Sequence, residues 1–151
     1  MTAEDDRAAF EKWGREQMRA MATHLAERGL VAKDEIVVEA RWQYPFRILV
    51  AEAWGKRTPD ERFWCVGGDV PVDHVEGKAA TDARGALRHF ALRWQVQGAR
   101  VRSGDRDLAP GEQPTDLRVN WTEVGDTLAR NAEFVYALTE DERHWEATLR
   151  M

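Results

Sequence analysis

Three stretches patterned for β-structure, Ile36 to Trp42, Phe46 to Trp54 and Arg62 to Val66, follow one another with only short breaks between them. Parallel neighbours need a crossover of a dozen or more residues, so connections this short favour an antiparallel meander of three strands. In the first stretch Ile36, Val38, Ala40 and Trp42 share one face while Glu39 and Arg41 share the other, the period-two pattern of a half-buried strand. Pro45 interrupts it. The second stretch is apolar on nearly both faces, with Phe46, Ile48, Val50 and Trp54 in phase, and Gly55 to Asp60, containing Thr58-Pro59-Asp60, reads as the turn into the third.

Helical periodicity flanks the strands. Thr2 and Asp5 form a capping box, Glu4, Asp5 and Asp6 place negative charge at the positive end of a helix dipole, and Phe10, Gly14, Gln17, Met18, Met21 and Leu25 fall on one stripe. Trp13 and His24 border that stripe, and Gly29 is a left-handed stop, so a first helix is expected to about Arg28. After a loop from Gly67 to Ala80, Thr81 or Asp82 caps a second helix bearing Ala83, Leu87, Phe90, Ala91 and Trp94 on one arc and ending near Gly98. Ser103 to Pro114 lacks any period and reads as a long exposed loop. A third helix begins near Asn120 or Thr122, with Val124, Leu128, Ala132, Val135 and Leu138 aligned and the polar Asn131 among them. Thr139 with Glu142 repeats the capping-box pattern and is expected to restart a short helix bearing Trp145 and Leu149. The fold class is α+β: a long N-terminal helix, a three-stranded antiparallel sheet, then two to three helices packed on the sheet, all in one domain of residues 1–151.

Composition narrows the function classes. With 22 Lys and Arg against 27 Asp and Glu, the chain carries a net charge of −5, which disfavours a dedicated nucleic-acid binder. The single cysteine, Cys65, lies in the apolar run Phe63 to Val66 and suits a reducing cytoplasm. The N-terminus shows no signal-peptide pattern, and no apolar stretch approaches the ~20 residues of a membrane span. The 7 tryptophans fall on different elements or their ends, which assigns them to packing rather than to one stacking platform.

The most distinctive local feature is Trp64-Cys-Val-Gly67-Gly68-Asp69-Val-Pro-Val-Asp73-His74, a strand running into two glycines, two carboxylates and an imidazole. Glycines there let backbone N–H groups converge on an anion, and Asp69, Asp73 and His74 offer ligand atoms for a divalent ion or a general base. Ordinary turn chemistry accounts for the same residues. Trp64, Gly67, Gly68, Asp69, Asp73 and His74 are therefore the candidate binding residues. Arg84 and Arg88, one turn apart on the second helix, are added as a possible grip on an acidic partner or phosphate; the plainer reading pairs that basic flank with the acidic segment from Asn120 onward. The 4 histidines show no His-x-x-x-His spacing, and no P-loop, Rossmann pattern or nucleophile elbow is present, so no metal, cofactor or catalytic residue is expected.

Trp64-Cys-Val-Gly-Gly-Asp-Val-Pro-Val-Asp-His, followed by Asp82-Ala-Arg84-Gly-Ala-Leu-Arg-His-Phe90-Ala-Leu-Arg-Trp94, resembles a family of small bacterial proteins known as a domain of unknown function. That pattern has a tryptophan-led strand, Gly-Asp-x-Pro-x-Asp, then an Ala-Leu-x-x-Phe-x-x-x-Trp helix; His74 stands where it carries an aromatic hydroxyl. The resemblance implies a bacterial cytosolic protein and supplies no activity. The expected function is a non-enzymatic module binding another protein, of an immunity-like or regulatory kind. The alternative is a small hydrolase or ligand-binding enzyme using the Gly67 to His74 turn.

Overall fold

A computed structural model describes residues 2–103 and 120–146, and the expected loop beyond Ser103, like Leu149, lies outside them. Among these residues the chain divides after Ala86 into two compact units.

The first unit opens with helix α1, Ala3–Glu27. Its capping box forms as the sequence dictates: the Asp5 amide donates to Thr2 Oγ1 at 3.1 Å, and the Thr2 amide donates to the Asp5 carboxylate at 3.2 Å. The helix stops at Gly29, whose φ of 69° is the left-handed conformation expected there. Strands β1 (Ile36–Tyr44), β2 (Ile48–Gly55), β3 (Thr58–Gly68) and β4 (Asp73–Glu76) follow in the sheet order β1-β2-β3-β4, with every neighbour antiparallel.

The meander has four strands, one more than the expected three. The segment read as a loop from Gly67 to Ala80 contains β4, which pairs Asp73 to Glu76 with Val66 to Phe63. With Val75 the only aliphatic residue among those four, β4 carries almost no alternating signal of its own and exists because β3 offers an edge. The second strand starts at Ile48 rather than Phe46, and the turn into β3 tightens to Lys56-Arg57. Pro59 is tolerated inside β3 because β4 pairs only with Phe63 to Val66, leaving that end of β3 open on one side.

A register shift between Ala40 and Trp42 corrects the expected face of β1. Ala40 opposes Ala51 and Trp42 opposes Val50, so the extra residue Arg41 turns Trp42 to the face opposite Ile36, Val38 and Ala40. Arg41 then bridges Glu39 at 3.0 Å and Glu52 at 2.9 Å, relieving two carboxylates that sit directly opposite each other in the ladder. Helix α1 packs on the face carrying Leu49, Ala51, Ala53 and Cys65, inserting Met21 and Leu25, both fully buried. Each such side chain contributes about 1.5–3 kcal/mol by leaving water.

The second unit contains most of helix α2, Ala83–Arg102, and helix α3, Trp121–Glu140. Asp82 caps α2 through the Gly85 amide at 2.7 Å, and Asn120 caps α3 through the Glu123 amide at 3.1 Å. Gly98 does not end α2. It is where α2 touches α3: a Cβ on Gly98 would lie 2.8 Å from the carbonyl oxygen of Gly125, so both positions exclude side chains to let the helices meet. Leu128, Ala132, Val135 and Leu138 are buried along α3. Thr139 does not restart a helix; it is buried and its hydroxyl donates to the Tyr136 carbonyl at 2.7 Å. Asp141 takes the capping role for the short 3-10 turn Glu142–His144, and the Trp145 indole donates to the Leu138 carbonyl at 2.9 Å. Of the seven tryptophans, Trp42, Trp64, Trp94, Trp121 and Trp145 are buried, as a packing role requires.

Candidate functional site

Position 24 lies near the end of α1, on the side facing the sheet, and position 74 lies on β4 opposite Cys65. The two elements bring the rings together: His24 Nε2 and His74 Nδ1 are 2.8 Å apart, with ring centroids 4.9 Å apart and edge to face. Asp73 accepts the His74 amide at 2.8 Å and is only 8% exposed, as is His24. A nitrogen from each imidazole and a carboxylate oxygen of Asp73 all lie within 4.8 Å of one another. The Phe63 ring closes on His74 edge to face at 6.0 Å, and burial, with a smaller push from Asp73, raises the Cys65 thiol to about 12. Cys65 is therefore a protonated core residue beside the cluster and no nucleophile at neutral pH. His24 also borders a cavity of about 540 Å³ lined by Glu16, Arg19, Thr23, Glu27 and Val72 among others.

The opposite end of α1 builds a different surface. Tyr44 to Arg47 form a β-turn closed by the Arg47 amide on the Tyr44 carbonyl at 2.9 Å, with Pro45 at its second position and Phe46 at its third. Phe46 has φ 64°, a conformation that this turn position normally reserves for Gly or Asn. Its ring is 47% exposed and meets Phe10 edge to face at 5.9 Å and Trp13 at 5.9 Å, while Phe10 stacks on Trp13 at 6.1 Å. Beside Phe10 a cavity of about 250 Å³ has Met18 and Leu49 in its wall and Glu11 and Arg15 among its polar lining.

Of the sequence candidates, Asp73 and His74 meet, and His24 joins them. The rest disperse. Gly67 and Gly68 are the last residues of β3, paired with Leu49 and Ile48. Gly68 has φ 117°, and a Cβ there would lie 2.2 Å from the Arg47 carbonyl oxygen, so the glycine answers a backbone requirement. Asp69 turns away to an ion pair with Arg47, and its amide donates to the Arg47 carbonyl at 2.7 Å. Trp64 is buried, its indole donating to the carbonyls of Gly77 at 3.2 Å and Ala80 at 3.1 Å, where it walls a second cavity of about 540 Å³ with Glu52, Asp60, Glu61 and Arg62. Arg84 is half-buried near the start of α2, and Arg88 faces Glu140 of α3 at 3.8 Å. That pair, with Arg102 and Asp126 at 3.4 Å, matches the segregation of charge between the basic and acidic segments. His89 is exposed.

The sequence candidates omit His24 and Phe46. Spacing rules recognise ligands on one element, whereas His24 and His74 are 50 residues apart; the only signal was a histidine on the border of an apolar helical stripe. For Phe46 the signal was an aromatic after Pro45 where a turn residue belongs.

A family model described as a domain of unknown function, DUF4826, matches residues 7–145. The chain belongs to the DUF4826 family. The matched span holds both ends of the α1 surface, from Phe10 to His24, and all four strands of this DUF4826 fold. No curated protein and no solved structure matches the chain. Among the described residues, no helix is long and apolar enough to cross a membrane.

Proposed function

We propose that the chain is a non-catalytic protein-binding module, immunity-like or regulatory, that works in the bacterial cytoplasm and grips a basic protein partner through Phe10, Trp13 and Phe46. The observation that carries this reading is Phe46, a large apolar side chain held at φ 64° and left 47% exposed. A non-glycine residue in that conformation costs about 1 kcal/mol or more, and strain of this kind gathers where a side chain must be presented. Presented with Trp13 and Phe10, it forms an aromatic anchor beside a cavity that takes one apolar side chain, the composition of an interface hot spot. The chain's net charge of −5 favours a basic partner.

The test is capture from source-cell lysate on the immobilised chain, identification of the recovered protein, and reconstitution from purified components. The expected result is a stoichiometric complex that F46G and W13A each weaken by more than about tenfold. Recovery of no stoichiometric partner, or equal binding by F46G, would contradict the reading. A second reading, a small hydrolase or ligand-binding enzyme at the Gly67 to His74 segment, is favoured by one observation, the meeting of Asp73 and His74 with a second imidazole. The ion pair that turns Asp69 to Arg47 weighs against it.

A further inference from the structure

We propose that His24, Asp73 and His74 form a binding site for a divalent first-row transition-metal ion. His24 Nε2 and His74 Nδ1 lie 2.8 Å apart, and two imidazole lone pairs cannot point at each other across that distance with nothing between them. Either a proton lies between them, or a metal ion sits to one side of the pair and is bound by both. A shared proton leaves one ring a donor and the other an acceptor; an ion takes lone pairs from both, with each ring proton moved to the far nitrogen.

The third group favours the ion. Asp73 brings a carboxylate oxygen within 4.8 Å of a nitrogen on each ring, from a position that is only 8% exposed. Two imidazoles and one carboxylate are the ligands that borderline divalent ions favour, and they leave coordination positions open. At a metal–nitrogen distance of ~2.0–2.1 Å, nitrogens 2.8 Å apart subtend about 85° at the ion, the angle between adjacent ligands of a six-coordinate centre. A tetrahedral centre needs the rings to part by ~0.5 Å. The geometry therefore suits Co²⁺, Ni²⁺ or Fe²⁺ directly and Zn²⁺ after a small adjustment.

Support and access complete the site. The Asp73 carboxylate is oriented by the His74 amide at 2.8 Å, the outer contact that typically fixes a metal-binding carboxylate. The Arg28 guanidinium donates to the His24 carbonyl at 3.2 Å and clamps the last turn of α1 at the ligand. His24 also lines an open surface groove of about 540 Å³ with Glu16 and Glu27, so one side of the cluster borders solvent.

The experiment is calorimetric titration of the purified, chelator-treated full chain with Co²⁺ alone, repeated with Zn²⁺. The expected result is saturable uptake of one ion per chain, weakened by more than about tenfold in H24Q and in H74Q and unchanged in H89Q, whose histidine is exposed and outside the cluster. Circular dichroism of each variant without metal establishes that it is folded. No saturable uptake by the native chain overturns the proposal whatever the variants do, as does equal uptake by folded H24Q and H74Q. Because the aromatic surface is not involved, F46G retains full metal affinity; loss of uptake there would also contradict this assignment.

Discussion

Along α1 the first half presents Phe10 and Trp13 to the exposed, strained Phe46, whereas the last half buries His24 against His74 and Asp73. One end leaves apolar rings in water and the other takes titratable groups out of it. Between them Met21 and Leu25 obey the ordinary rule and anchor the helix to Leu49, Ala51 and Cys65. A chain whose local preferences otherwise agree with its fold departs from them at functional sites. Stability therefore belongs to the middle, and the two proposed binding roles fall at the ends.

The largest effect should come from the middle. M21A removes a fully buried side chain and is expected to cost about 2–5 kcal/mol in denaturant unfolding, weakening both ends together because both depend on α1 staying docked. If M21A leaves stability unchanged, the two ends do not share a scaffold. Next comes the histidine end: an ion bound at 100 times its dissociation constant raises stability by about 2.7 kcal/mol, so saturating Co²⁺ should raise the Tm of the native chain and of F46G but not that of H24Q. A Tm rise in H24Q would break the assignment of that end.

Cys65 tests how closed this end is. With the thiol at about 12 in the folded chain against 9.0 as its ordinary value, the unfolded state loses its proton first as pH rises. Stability should therefore be intact below pH 9 and fall between pH 9 and about 12, and a thiol reagent at pH 8 should react only after denaturation. Rapid reaction of the native chain would show His74's neighbour to be open to solvent. The smallest effect belongs to Asp141 of the second unit, whose carboxylate is held down to about 2 by the Arg143 side chain first and its amide second. A depressed carboxylate adds stability above its ordinary value of 3.8 that is lost as pH falls toward 2, and since the pair is exposed, D141N should shift the acid unfolding midpoint only slightly.

What the sequence made legible was local. Thr2 with Asp5, Gly29 and Asn120 announce helix ends through their own chemistry, and the short breaks between β-patterned stretches imply antiparallel pairing before any partner is known. The bulge at Arg41 was hidden because alternation from Ile36 to Trp42 looks unbroken until Val50 is found opposite Trp42. Strand β4 was hidden because its order comes from the edge of β3 rather than from its own residues. The candidate segment was half legible: Asp73 and His74 stood out as chemistry-bearing neighbours, while Gly67 and Gly68 stood out for a backbone reason, the approach of Arg47. His24 could not be joined to them from spacing, because the joining is done by α1 lying on the sheet.

The most direct test of the binding role given to the first end of α1 is a paired measurement on F46G. Glycine relieves about 1 kcal/mol of backbone strain and forfeits ring contacts worth about 0.5–1.5 kcal/mol each, so the Tm should stay within a few degrees of the native value. Affinity for the partner, measured on the same sample, should fall by more than about tenfold. Loss of binding with the fold retained is the result this account predicts. A marked fall in Tm with partner affinity unchanged would make Phe46 a packing residue and contradict it.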